Sequence, residues 1–113
     1  MSRRRQELGR AGEARAESLL SKAGYRLLAR NLRLPGGEID LLFLDGSTLV
    51  VVEVKRRESS GFGSALAAVG RSKRATLRRI AADYAQIVAP HACVRFDIVA
   101  IDGERMTHHR NAF

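Results

Sequence analysis

Asp40, Glu53 and Lys55 interrupt the most apolar stretch of this 113-residue chain, GGEIDLLFLDGSTLVVVEVKRR at positions 36–57. Charged side chains are seldom buried unless they are paired or bind a metal. Two carboxylates and an ammonium group that lie close together could bind a hard cation such as Mg²⁺ and act on a phosphate. An ordinary cross-strand salt bridge on an exposed sheet face is the alternative interpretation.

The spacing of these residues predicts that they share one face of a β-hairpin whose turn is signalled by Asp45-Gly46. A two-residue turn would place Asp40 opposite Val51 and diagonal to Glu53, whereas a four-residue loop would place it directly opposite Glu53. In both registers the three charged side chains project from the same face, with Cβ atoms roughly 5–8 Å apart. Strict alternation places Ile39 on the other face, with Leu41 and Phe43.

The rest of the chain predicts an α/β domain in which a mixed sheet is flanked by helices. Apolar residues at helical spacing indicate two helices, and runs of apolar and β-branched residues indicate five strands. The predicted elements are a helix over 7–23, strands over 25–34, 38–44 and 49–56, a helix from near Gly70 to Pro90, a strand over 92–101, and a strand ending near His108.

Length and composition indicate a single domain over residues 1–113, with residues 1–6 as a flexible basic tail. Lys and Arg outnumber Asp and Glu by 20 to 12, and the formal net charge of +8 favours a polyanionic partner. Cys93 is the only cysteine, which argues against a disulfide or a zinc site and favours the cytoplasm. The basic N-terminus lacks the apolar run of a signal peptide, and no stretch reaches transmembrane length.

Asp40, followed by Glu53-Val54-Lys55 on the next strand, resembles the active-site core of the PD-(D/E)XK nucleases, which include restriction enzymes and archaeal Holliday-junction resolvases. The wider pattern resembles the YraN family of bacterial proteins over nearly the whole chain. Its marks are Gly12-Glu13, GGEIDLL (36–42), VVEVKRR (51–57), FG (62–63), SK (72–73) and RFDIVA (95–100). The resemblance implies a restriction-endonuclease-like fold and a nuclease, although Ile39 replaces the proline of the nuclease motif.

In the resembled enzymes, Asp40 and Glu53 would bind Mg²⁺ (or Mn²⁺) together with the backbone carbonyl of Val54. Lys55 would orient or help to deprotonate the attacking water. A third acid is expected from the first helix, where Glu13 lies about 70° and Glu17 about 110° from the centre of the apolar stripe. Glu13 is therefore expected to be the third catalytic and metal-binding residue.

Cations of the second helix are expected to contact nucleic acid. Lys73 lies within the apolar stripe, in the first turn of a helix that starts near Gly70, where free N–H groups favour an anion. Snorkelling past the sheet edge is the alternative. Arg71, Arg74, Arg78 and, on the preceding strand, Arg56 are expected to contact phosphates without reading sequence, although a role in solubility would also explain them.

Other titratable residues receive structural interpretations. Asp97 lies in a family-like segment, but Arg95 on the same face could pair with it, so it is not assigned to catalysis. His108 and His109 are adjacent on a strand, so their side chains should point apart, and both are expected to be exposed and without a functional role.

Together these observations predict a Mg²⁺-dependent endonuclease that acts on DNA, with branched or structured DNA among its candidate substrates. The alternative is a non-catalytic nucleic-acid-binding module that retains the nuclease fold, and a basic interaction domain without nucleic acid is a third interpretation. No membrane association is expected. Because resolvases of the resembled fold are dimers, a homodimer is suggested.

Overall fold

The computed structural model describes residues 3–57 and 64–113, and within α1 it describes side chains from residue 9 onward. Two helices lie on opposite faces of a five-stranded sheet whose strands are neighbours in chain order. Only β3 and β4 run parallel. The elements are α1 Arg3–Lys22, β1 Arg26–Leu34, β2 Gly37–Asp45, β3 Thr48–Arg57, α2 Arg71–Val88, β4 Val94–Asp102 and β5 Arg105–His109. The predicted α/β class and element order are confirmed.

Helix α1 begins earlier than the apolar pattern predicted. Its backbone is helical from Arg3, four residues before the predicted start at residue 7. The physical reason is that Arg and Gln are good helix formers, so that polar residues extend the helix beyond its apolar stripe. The helix ends where Gly24 adopts a φ of 98° and the Tyr25 N–H donates to the Leu20 carbonyl.

Helix α2 connects β3 to β4 and thereby allows these strands to run parallel. Gly70 is the N-cap residue of α2, in agreement with the predicted start near this residue. The helix ends at Val88, two residues before Pro90. Leu77 and Ile80 are buried against the sheet, but Ile87 is 83% exposed, so the apolar stripe does not continue to the end of the helix.

The core has one layer on each face of the sheet. Ala16 and Leu20 of α1 pack against a layer that includes Phe43, whereas α2 packs against a layer that includes Leu42 and Val51. Burial of each large side chain contributes roughly 1.5–3 kcal/mol. Within the described ranges, neither helix has the length and apolarity needed to cross a bilayer.

The hairpin of β2 and β3 has the second of the two expected registers. Leu41 pairs with Val52, as expected for the four-residue loop, and the regular pairing of β2 with β3 ends at this pair. The turn is nevertheless two residues long, because Asp45 still pairs with Thr48 and the turn comprises Gly46-Ser47. The Asp45-Gly46 prediction was therefore wrong by one residue. Gly46 adopts a φ of 60°, and a type II′ hairpin turn takes glycine at this position.

Alternation along β2 breaks at Asp40. Ile39 packs in the α2-side layer, whereas Leu41 belongs to the α1-side layer, so the prediction that they share a face was wrong. The register with β1 runs from Arg30 opposite Leu41 to Leu32 opposite Ile39, and Asn31 between them has a φ of 49°. Because Asn31 adopts this left-handed conformation, Leu32 and its partner Ile39 point to the face opposite to the one that regular alternation would give. Asp40 lies at this break in the alternation, beside β3.

Candidate functional site

One cleft of about 350 Å³ lies where β2, β3 and both helices meet. Its walls include every residue that was predicted to be catalytic, together with Lys73. The lining residues are Glu13, Asp40, Glu53, Val54, Lys55, Ala68, Val69 and Lys73. The fold thus brings together residues that are up to 60 positions apart in the sequence, counting from Glu13 to Lys73.

Asp40 and Glu53 form the acidic centre of this cleft. The Val54 N–H donates to Asp40 Oδ2 at 2.9 Å, which fixes the aspartate against β3. Glu53 is only 7% exposed, and its burial, together with the adjacent Asp40 carboxyl, raises its pKa to about 8. The metal-free pair therefore retains a proton at neutral pH, because two ionised carboxylates in this position repel each other.

Lys73 is in direct contact with this acidic pair. Its Nζ lies 3.4 Å from Glu53 Oε2, and it projects from the first turn of α2 as predicted. Lys73 lowers the pKa of Glu53, but burial and Asp40 outweigh this effect. The contact is consequently a full ion pair only above pH 8, and at lower pH Lys73 faces a carboxyl that is largely protonated.

Lys55 differs from Lys73 in its surroundings. It is half-buried and lines the same cleft, on the strand position two residues after Glu53. Among the side chains of residues 9–57 and 64–113, no ion pair joins Lys55 to a carboxylate. No described carboxylate therefore engages its ammonium group in the cross-strand salt bridge that was considered as the alternative.

Glu13 reaches the cleft from α1. Burial raises its pKa, and the nearby Asp40 carboxyl raises it further, while a contact with the Asn31 side chain lowers it. Close packing of the helix makes this position possible: a Cβ on Gly12 would lie 3.3 Å from Ile101 Cδ1. Glycine at position 12 thus allows α1 to approach β4 closely and brings the next residue into the cleft.

Glu17 lies outside the cleft, as the helical geometry predicted. Its carboxylate accepts two hydrogen bonds from the Arg30 guanidinium, one of them 2.9 Å long. These bonds hold the pKa of Glu17 below its ordinary value. Glu17 is therefore committed to a contact between α1 and β1, whereas Glu13 faces the two acids of the strands.

The donor atoms of the cleft fit Mg²⁺. Asp40 and Glu53 offer carboxylate oxygens, and Val54 brings its backbone to the same wall. In the described part of the chain, no three His, Cys, Asp or Glu side chains form a complete set of metal ligands. Mg²⁺ does not require one, because it is commonly held by one or two carboxylates and keeps several waters. Asp40 and Glu53 would therefore suffice to hold such an ion, and Glu13, which lines the same cleft, would lie near it.

Three of the predicted phosphate contacts line a neighbouring cleft of about 560 Å³, which shares Val69 with the first. They are Arg71, Arg74 and Arg78. Arg56 lies elsewhere: it is half-buried near the end of β3 and is not among the described residues that line either cleft.

Asp97 belongs to a buried structural network at another part of the sheet. It is fully buried, and it accepts hydrogen bonds from Arg95 Nε at 2.9 Å and from the Asn111 N–H at 2.9 Å. Burial alone would raise the pKa of Asp97, but these hydrogen bonds and that of His108 outweigh it and hold the pKa below its ordinary value. The structural interpretation of Asp97 is confirmed.

The expectation that both histidines are exposed was wrong. His108 is half-buried, its Nε2 lies 2.7 Å from Asp97 Oδ2, and its ring packs edge-on against Tyr25. His109 is also half-buried and contacts the Thr107 hydroxyl at 3.0 Å. The two rings do point apart, but β5 pairs with β4, and this pairing brings His108 diagonally across from Asp97.

Sequence reasoning missed two residues that shape the cleft. Asn31 supplies the left-handed backbone beside Asp40 and contacts Glu13. Asp102 Oδ1 accepts a 2.7 Å hydrogen bond from the Ala65 N–H, which anchors the segment that leads to Val69 in the cleft wall. Asn31 carried a usable signal, because Asn is enriched among non-glycine residues with positive φ.

Comparison with known proteins identifies relatives over almost the whole chain. The model of a family described as "Uncharacterised protein family UPF0102" matches residues 12–101. The chain is 40% identical over 107 residues to a UPF0102 protein of Thermodesulfovibrio yellowstonii, covering 95% of this chain and 96% of the relative. It is 45% identical over 105 residues to a UPF0102 protein of Shewanella loihica, covering 93% and 92%. The resemblance to the YraN family, which is the same family, is thereby confirmed.

Proposed function

Since this chain belongs to the UPF0102 family, we propose for it the activity that its cleft supports best. That activity is Mg²⁺-dependent endonucleolytic hydrolysis of phosphodiester bonds in DNA, including branched or structured DNA. The supporting observation is the meeting of Glu13, Asp40, Glu53 and Lys55 in one cleft. Acids crowded closely enough to retain a proton, beside a lysine that has no carboxylate partner among the described residues, suit a site that binds a divalent cation and a phosphate.

Each acid has a distinct part in the proposed reaction. Asp40, held by the Val54 N–H, and Glu53 would hold Mg²⁺ (or Mn²⁺) between β2 and β3. When bound, such an ion would supply a Lewis acid for the scissile phosphate and would lower the pKa of the attacking water. Glu13 lies near enough to interact electrostatically with Asp40, so it would orient water on the α1 side of the site.

The two lysines would act on the substrate rather than on each other. Lys55 has no carboxylate partner in the described residues, so its ammonium group is available to orient the attacking water and to offset phosphate charge. Lys73 would leave Glu53 when a cation takes up the carboxylate charge, and its position in the first turn of α2 favours contact with a phosphate. The formal net charge of +8 supports a polyanionic substrate.

One observation favours the second candidate, a nucleic-acid-binding module without catalysis. Lys73 already contacts Glu53, and this contact can satisfy part of the acidic charge without a metal. In such a protein the cleft would bind phosphates while Lys73 and a retained proton balance the carboxylates.

A cleavage assay separates the two candidates. Plasmid DNA and a four-way junction are incubated with the protein and Mg²⁺ or Mn²⁺, with EDTA as the blank. Asp40→Asn and Glu53→Gln are expected to lower the rate at least 100-fold and to leave DNA binding intact, since each removes a metal ligand. Glu17→Gln is the matched control, because Glu17 bonds to Arg30 outside the cleft. Cleavage that persists in both cleft variants would show that the catalytic assignment is wrong.

A further inference from the structure

Among the residues that the structure describes, two further depressions adjoin the cleft that would hold the metal, one smaller and one larger than it, and they differ in charge. The α1-side cleft, about 150 Å³, shares Glu13 with the central one. The α2-side cleft, about 560 Å³, shares Val69 with it. A phosphodiester strand that passes through the central cleft can continue over either of them, so their chemistry bears on its path.

The α1-side cleft carries balanced charge. It is lined by two arginines and two glutamates, with Arg10 and Arg30 against Glu13 and Glu17. Arg30 is engaged in its two hydrogen bonds to Glu17. A phosphate placed here would meet the Glu13 carboxylate without gaining a free guanidinium from Arg30, so this side offers little attraction to a polyanion.

The α2-side cleft has three arginines and no acid among its lining residues. Among the side chains described for residues 9–57 and 64–113, none of those of Arg71, Arg74 and Arg78 forms an ion pair with a carboxylate. The first turn of α2 also lacks an acidic residue. Cations at the N-terminal end of a helix oppose its dipole, so this arrangement destabilises the helix unless an anion binds there.

The arginines of this cleft are partly preorganised. Arg74 Nε donates to the Val69 carbonyl at 2.8 Å, which ties α2 to the wall shared by the two clefts. The guanidinium groups of Arg74 and Arg78 lie over the Phe113 ring, 5.7 and 5.6 Å from its centroid. Arg74 is half-buried and holds α2 against Val69 through its hydrogen bond, whereas Arg71 and Arg78 are exposed and can donate to a ligand.

We propose that the α2-side cleft binds the phosphate next to the scissile one, through Arg71 and Arg78. The DNA backbone therefore runs from the central cleft over the N-terminal end of α2 and not along α1. This inference rests on the proposed function and adds the path of the substrate. Phosphate contacts of this kind position DNA without reading its sequence.

The test compares two variants of equal charge. Arg71→Gln with Arg78→Gln alters the α2-side cleft, and Arg10→Gln with Arg26→Gln removes two charges from the α1 side and from the exposed part of β1. Dissociation constants for a duplex and a junction are measured against salt concentration, with Ca²⁺ present. The single change Arg71→Gln is included because it leaves the Phe113 contacts intact.

The α2-side double variant is expected to bind at least tenfold more weakly, with a salt slope lower by about two, because each phosphate contact contributes about 0.9. Arg71→Gln should lower the salt slope by about one. The control pair Arg10→Gln with Arg26→Gln should lower the slope by less than half of the change seen in the α2-side double variant. Equal losses in the two double variants, or a loss in the control pair alone, would overturn this path while leaving the nuclease proposal intact. Absence of DNA binding by the wild type would overturn the proposed function itself.

Discussion

Lys73 Nζ lies 3.4 Å from Glu53 Oε2, across the cleft wall formed by α2 and β3. This contact places a monovalent cation beside the carboxyl pair that would otherwise hold a divalent one. Lys73 and a bound metal ion therefore compete for the same negative charge. The same competition would free Lys73 for a phosphate when the metal binds, so metal binding and DNA binding are expected to be coupled through this side chain.

Lys73→Met is predicted to raise the affinity for Mn²⁺ several-fold, because it removes the competing ammonium group while retaining an unbranched side chain. Isothermal titration calorimetry at pH 8.5 provides the measurement, since proton competition at Glu53 is weaker there. Lys22→Met, at the end of α1, is the control for the loss of one charge.

The coupling is predicted to disappear in the same variant. Ca²⁺ should strengthen DNA binding by the wild type more than it strengthens binding by Lys73→Met. Unchanged or weaker Mn²⁺ binding by Lys73→Met, with normal behaviour of the Lys22 control, would refute the competition.

Stability of the metal-free protein is predicted to fall as pH rises from about 5 to 8. Glu53 has a pKa of about 8 in the folded state and an ordinary value of 4.5, so the folded state binds more protons throughout this window. The stabilisation is fully present below pH 4.5 and is lost as the pH approaches 8, with an upper limit of about 5 kcal/mol at 1.36 kcal/mol per unit.

Chemical denaturation in EDTA across this pH range measures the effect. Glu53→Gln should show a much flatter profile, because its amide does not titrate. A wild-type profile that rises from pH 5 to pH 8, or one that the glutamine variant reproduces, would mean that Glu53 does not retain its proton in the folded state.

Asn31 is predicted to support the stability of the fold and the Mn²⁺ affinity through its left-handed backbone conformation. Asn31→Val should destabilise the protein by about 1–3 kcal/mol, because a β-branched residue tolerates the left-handed region poorly. Asn31→Gly keeps the φ of 49° accessible and is the matched comparison. Mn²⁺ affinity should fall in the valine variant, since Asp40 lies beside this irregularity. Equal stability and equal Mn²⁺ affinity of the two variants would contradict this role.

The sequence predicted the grouping of the acids well, because alternation along β3 places Glu53 and Lys55 on the same face. It failed at Ile39, whose facing is reversed beside the left-handed Asn31 of the neighbouring strand β1. A local pattern does not include this effect, because the cause lies on a different strand. The turn was misplaced for a related reason: one glycine at positive φ suits two adjacent turn positions.

Side-chain partners were harder to predict than positions. Helical spacing correctly placed Lys73 in the first turn of α2, but its contact with Glu53 depends on how closely the helix approaches the end of β3. His108 illustrates the same limit, since only the pairing of β5 with β4 reveals that Asp97 lies across from it. Such contacts follow from packing between elements and not from the period within one element.

A crystal structure of the protein grown with Mn²⁺, with the metal located by anomalous scattering, tests the central claim most directly. The predicted result is one strong peak in the cleft, with oxygens of both Asp40 and Glu53 within about 2.3 Å and Lys73 displaced from its present contact. An empty cleft at saturating Mn²⁺, with Lys73 still against Glu53, would contradict the metal site and favour a protein that binds nucleic acid without cutting it.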